Sequence, residues 1–130
     1  MVVDTSAILA LLFDEPHGAW VADRLSESSA ELRMSTVNLA EALILIRDRQ
    51  PTQADNLEER LLTSGIRFVA PDQAQARTAA QARLRFPLNL GDCFAYALAV
   101  AEECPILATD VDFRAVDVAT LLPREPAGRG

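Results

Sequence analysis

The chain has 130 residues and no lysine: all 12 basic residues are arginine. That absence excludes chemistries that need an ammonium group, among them the phosphate-loop lysine of nucleotide-binding folds and Schiff-base catalysis. A single histidine excludes multi-histidine metal sites. The two cysteines, Cys93 and Cys104, are expected on one helix, about 16 Å apart at 1.5 Å per residue. A disulfide needs Cα atoms within about 7 Å, so two free thiols are expected. No apolar run reaches the ~18 residues of a membrane span. The opening Met1-Val2-Val3-Asp4 carries no basic region and no signal core, and a cytoplasmic protein is expected. The net charge of −7 argues against a basic nucleic-acid coat protein. It leaves nucleic acid open as a substrate, because a metal ion can supply positive charge.

Half of the residues are hydrophobic, and short apolar runs alternate with helical stretches. Strands are expected at Met1–Val3, Leu32–Met34, Ile66–Val69 and Ile106–Ala108, with a fifth at Val118–Leu122. Helices are expected at Ser6–Phe13, His17–Leu25, Val37–Arg49, Thr52–Thr63, Asp72–Arg85 and Asp92–Glu103, with Pro87–Leu90 as a loop. This order implies a three-layer α/β sandwich, with a short, mostly parallel central sheet of four to five strands between helices. One domain over 1–122 is expected, with 123–130 as a flexible tail.

With lysine absent, attention moves to the 19 acidic residues. In such a fold, ligands bind beyond the carboxyl ends of the strands. Asp4 follows the first strand directly, and Asp110 follows the fourth after one residue. Glu41 has Val37, Ile44 and Leu45 at helical spacing, which places it on or beside an apolar stripe. A buried carboxylate there needs a cation. Asp92 opens a strongly apolar helix. Each has an ordinary explanation: a turn residue for Asp4, a salt bridge to arginine for Glu41, a helix-dipole charge for Asp92, and a loop carboxylate for Asp110, with Asp112 and Asp117 nearby. Together they form a set of hard oxygen donors that selects Mg²⁺ or Mn²⁺, a setting for metal-assisted phosphodiester hydrolysis.

Four segments carry a resemblance: Val2-Val3-Asp4-Thr5-Ser6-Ala7, Ser35-Thr36-Val37-Asn38-Leu39-Ala40-Glu41, Leu90-Gly91-Asp92-Cys93-Phe94-Ala95-Tyr96-Ala97-Leu98-Ala99, and Ile106-Leu107-Ala108-Thr109-Asp110-Val111-Asp112-Phe113. In order and spacing they resemble a PIN domain, and more closely a VapC-type toxin of bacterial toxin–antitoxin systems. The resemblance implies an Mg²⁺- or Mn²⁺-dependent endoribonuclease whose products carry 5′-phosphate and 3′-hydroxyl ends. It assigns Asp4, Glu41 and Asp92 to the acidic cluster and matches Asp110 to a more variable fourth acid. Asp112 is read as structural, a helix cap. Thr5, Ser6 and Thr109 are supporting hydroxyls. Gly91-Asp92-Cys93 departs from the small alanines found around this aspartate in many members. The resemblance also implies a cognate VapB-type antitoxin and homodimerisation.

Other residues have weaker claims. Leu11, Leu12, Phe13, Trp20 and Leu57 are candidates for an antitoxin groove, and packing is the competing role for Trp20. Arg77, Arg83 and Arg85 are candidates for RNA backbone contact, against a solvated helix face. His17 reads as a surface or capping residue. A receiver domain and a haloacid-dehalogenase-type phosphatase both require a lysine and acidic pairs that are missing. A PIN-like binding module with weak catalysis is the remaining alternative, and it would be expected to lose acids that this chain keeps.

Overall fold

The valines of the first run, Val2 and Val3, are fully buried and form β1 (Val2–Val3) at the centre of a five-stranded parallel sheet. A computed structural model describes residues 1–124. Among them the sheet also contains β2 (Arg33–Ser35), β3 (Arg67–Val69), β4 (Ile106–Leu107) and β5 (Thr120–Leu121), in the order β3-β2-β1-β4-β5. The helices are α1 (Thr5–Leu12), α2 (Gly18–Glu27), α3 (Thr36–Arg49), α4 (Ala54–Leu62), α5 (Gln73–Arg85) and α6 (Leu90–Glu102). The expected α/β sandwich is what forms, and every strand pairing is parallel.

Alternation along the strands separates two cores, because successive side chains point to opposite faces. Val3 and Leu107 pack with residues of α1, α2, α3 and α4. Val2, Ile106 and Ala108 pack with residues of α5 and α6. The sheet is the middle layer of three.

Side-chain caps set several helix starts. Ser35 accepts from Val37 N at 3.2 Å to open α3, and Asp72 accepts from Gln75 N at 2.8 Å to open α5. Asn89 and Asp92 form a reciprocal capping box, which starts α6 at Leu90 inside the segment expected to be loop. Cys104 lies beyond the end of α6, not on it, and both thiols are free. A short 3₁₀ turn at Val111–Ala115 is an addition to the expected elements, anchored by Phe113 at 1% exposure. Of the expected tail, Pro123 is buried against the body, while residues 125–130 lie outside the described residues.

The chain moves outward from β1 to β2 and β3 on one side, and from β4 to β5 on the other. The direction of winding therefore reverses between β1 and β4. In open parallel sheets, such a reversal leaves a crevice at the carboxyl ends of the strands. Asp4 follows β1, and Thr109 and Asp110 follow β4.

Candidate metal centre

Asp4 caps α1: its Oδ2 accepts from Ser6 N at 2.9 Å and from the Ser6 hydroxyl at 2.7 Å. The Ser6 hydroxyl in turn accepts from Thr109 N at 3.0 Å. Thr109 Oγ1 donates to Ser6 O at 3.3 Å. Ser6 thus joins the ends of β1 and β4 and fixes one oxygen of Asp4. The other, Oδ1, is buried and has no hydrogen-bond partner among the described residues. The Thr5 hydroxyl donates to Asn38 O of α3 at 3.3 Å.

Asp92 sits in the first turn of α6 at 4% exposure. Its N–H donates to Asn89 Oδ1 at 2.8 Å, and its Oδ2 accepts from Asn89 N at 3.3 Å. Oxygens of Asp92, Asp110 and Asp112 lie within 4.8 Å of one another. Asp110, not Asp112, caps the 3₁₀ turn, accepting from Asp112 N at 2.9 Å. Asp112, in the first turn of the 3₁₀ segment, thus brings a carboxylate oxygen into the same group as Asp92 and Asp110.

Burial pushes the Asp4 carboxyl up to about 6, against the lowering effect of Ser6's two hydrogen bonds and with a further upward push from Glu41 and Asp110. Burial also pushes Asp92 up to about 8, reinforced by the charges of Asp4 and Asp110 and, more weakly, Glu41. These groups resist carrying their charges together. A cation relieves that resistance, and an all-oxygen donor set with an unpartnered buried oxygen suits a hard metal ion. The cluster is compatible with metal binding.

Glu41 reaches this site by a route other than the expected one. The buried residues of α3 are Asn38, Ala42 and Ile46. Ile44 is 67% exposed, so Val37, Ile44 and Leu45 are not a core stripe. With Ala40, Leu90 and Gly91 they line an open apolar groove of about 370 Å³ that has Glu41 in its wall. Glu41 is half-buried and forms no ion pair with arginine among the described residues. Its carboxylate rests on the bare Cα of Gly91: a Cβ there would stand 2.6 Å from Glu41 Oε1 and 2.7 Å from Oε2. A larger cavity of about 480 Å³ lies at the opposite end of the sheet, around Met1, Arg33, Cys104 and Pro105, and includes none of these acids.

Among the remaining candidates, Arg77 and Arg83 are exposed on α5. Arg83 borders a second apolar groove of about 370 Å³ between α5 and α6. Arg85 is held by Asp117 at 2.8 Å and lies 4.6 Å above the Phe86 ring. Leu11, Leu12, Phe13 and Trp20 are half-buried around α1 and α2, on the edge of the first core. Leu57 is 6% exposed within that core and offers little surface to a partner. His17 stands at the N-cap of α2 and makes no side-chain capping bond. The residue that sequence reasoning passed over is Asn38, fully buried between Thr5 and Gly91. An asparagine within a helical pattern carries no signal that separates a buried amide from an exposed one.

The PIN domain family model matches residues 1–119. Ribonuclease VapC42 of Mycobacterium tuberculosis is 39% identical over 127 residues, covering 91% of this chain and 96% of the relative. Among solved structures, VapC20 of Mycobacterium tuberculosis, a sarcin–ricin-loop-cleaving toxin, superposes with a TM-score of 0.80 at 19% identity, over 94% of this chain and 98% of that one. VapBC2 of Rickettsia felis, solved on a promoter DNA fragment, superposes with a TM-score of 0.74 at 12% identity, over 93% and 96%. At those identities the structures speak for the fold alone. The family match and the VapC42 identity go further: the chain belongs to the PIN-domain family, within its VapC group.

Proposed function

We propose that this chain is an endoribonuclease toxin that depends on Mg²⁺ or Mn²⁺ and is restrained by a VapB-type antitoxin. The observation that carries the reading is the burial of Asp4 and Asp92 at the reversal point of the sheet, within the field of Asp110 and Glu41. Two carboxyls held in that way, with Asp110 and Asp112 close to Asp92, are stabilised by a cation. The ribonuclease name of VapC42 supports RNA as the substrate class. The absence of lysine and the solitary histidine support a mechanism that needs neither as a base.

Asp4, Asp92, Glu41 and Asp110 would hold the ion, with Asp112 near enough to share in it. When bound, a divalent ion there stabilises charge on the scissile phosphate and acidifies water. The chain's own groups prepare the site. Ser6 fixes Asp4 Oδ2 and leaves Oδ1 for a ligand. The Asn89 cap keeps Asp92 at the start of α6, where the helix dipole favours its negative form. Arg77 and Arg83 serve as phosphate contacts on the substrate strand. Arg85 is the poorest of the three arginines for that role, because Asp117 already occupies it.

The half-buried apolar residues Leu11, Leu12, Phe13 and Trp20 form the proposed antitoxin groove. A basic partner segment suits a chain of net charge −7. The VapBC2 complex of Rickettsia felis supports a partner of this kind, and a homodimer of this chain, which the family resemblance implies, belongs to the same reading. The test is cleavage of a structured RNA by purified protein, with and without Mn²⁺. Metal-dependent cuts that vanish in Asp92→Asn support the proposal, and equal cutting by that variant refutes it.

A further inference from the structure

Asp4, Glu41 and Asp92 stand on three separate elements, and a single buried amide joins those elements. Asn38, fully buried in the first turn of α3, donates from Nδ2 to Thr5 Oγ1 of α1 at 3.2 Å and to Gly91 O of α6 at 2.9 Å. Thr5 returns a bond from its hydroxyl to Asn38 O at 3.3 Å. The carbonyl of Gly91 settles which way the amide faces, because only the NH₂ end can donate to it. Asn38 Oδ1 is buried without a partner among the described residues. A leucine of similar shape would remove that orphan but would also leave the bonds to Thr5 Oγ1 and Gly91 O unmade, so the amide is kept here for the contacts its NH₂ end makes between the elements.

Glu41 follows Asn38 by three residues, on the same side of α3. Its carboxylate lies against Gly91, the residue whose carbonyl Asn38 holds. Any Cβ at position 91 would occupy the space of that carboxylate, and the carboxylate is the end of a flexible side chain. The displaced group would be Glu41, while the helices stay where they are.

We propose that Asn38 and Gly91 are a positioning pair for Glu41: the amide sets the gap between α3 and α6, and the missing Cβ lets the carboxylate reach the acidic cluster across it. This rests on the reading of the cluster as a divalent-metal centre. Neither residue touches substrate, and both act through Glu41.

The experiment is calorimetric titration of the purified, RNA-free chain with Mn²⁺, alongside thermal unfolding in chelator. Asn38→Leu and Gly91→Ala are each expected to weaken Mn²⁺ binding about tenfold or more, the range that groups supporting metal ligands exert. In chelator, the unfolding temperature of Gly91→Ala should be unchanged or raised, since alanine favours a helix over glycine, while that of Asn38→Leu should fall with the loss of its two buried bonds. In a Glu41→Gln background, both substitutions should lose their effect on affinity, because nothing remains for them to position. Should Asn38→Leu fail to fold, Gly91→Ala decides the question by the same readings. Unchanged affinity in Gly91→Ala, or an equal loss with and without Glu41, overturns the proposal. A wild-type chain that does not bind Mn²⁺ overturns the metal reading and the proposal with it.

Discussion

At the scale of single residues, Asp4 and Asp92 are in tension with their surroundings. Their carboxyls are raised from 3.8 to about 6 and about 8 by burial and neighbouring charge. Between those limits the folded, metal-free chain binds more protons than the unfolded one. Its stability therefore falls as pH rises through that window and is regained on acidification. In chelator, the unfolding temperature should be higher near pH 5 than near pH 9, and Mn²⁺ should raise it more at the alkaline end; a metal-free chain that grows more stable with rising pH would contradict the burial argument. Ser6→Ala removes the hydroxyl bonds to Asp4 and Thr109. It should weaken Mn²⁺ binding without abolishing it, which the same titration would measure. The acids were legible in the sequence because they interrupt apolar segments at strand ends and at a helix start. Asp112 and Glu41 show the limit. A five-residue 3₁₀ turn has no period to read, so nothing in the sequence said that Asp110 would cap it and Asp112 would face Asp92. Apolar residues surround α3 on several sides, so spacing could not tell that Ile44 faces outward.

At the scale of elements, the site depends on how three helices begin. α1 starts on Asp4, α3 starts on Ser35, and α6 starts on the Asn89–Asp92 box. Placing a functional carboxylate within a cap links folding to chemistry: the backbone N–H groups that need an acceptor also orient it. Asn89→Ala removes one half of the box and should lower stability by about 1 kcal/mol, read from denaturant unfolding, and weaken metal binding by loosening Asp92. Unchanged stability would mean that the cap contributes nothing in solution. α5 and α6 are also tied at their surface, where the Tyr96 hydroxyl donates to Asp117 at 2.6 Å, Arg85 pairs with the same carboxylate, and Phe86 packs edge-on against Tyr96 at 5.4 Å. Tyr96 and Arg85 together hold the Asp117 carboxyl below its usual range. This network joins residues 85 and 117, a pairing that spacing along the chain could not suggest.

At the scale of the whole molecule, the alternation of strands and helices was legible because each strand is short, apolar and bounded by turn or cap residues. The strand order was not, since periodicity says which residues face the sheet but not which strands are neighbours. The resulting topology puts the reversal point between β1 and β4, with a packed core on either face of it. Arg77 and Arg83, exposed on α5, form no ion pair among the described residues, and neither do the exposed Arg49, Arg60 and Arg114. For the antitoxin surface, Leu12→Asp combined with Trp20→Ala should abolish a tight antitoxin complex in a pull-down while leaving RNA cleavage intact; an undiminished complex would place the groove elsewhere.

The most direct test of the account is cleavage of one end-labelled structured RNA by the purified chain and by Asp4→Asn, each in chelator and again with Mn²⁺ restored. Cuts by the wild-type chain are expected only when the metal is present, and none by Asp4→Asn in either condition. Cleavage that persists in chelator, or an Asp4→Asn chain that cuts as well as the wild type, would contradict it.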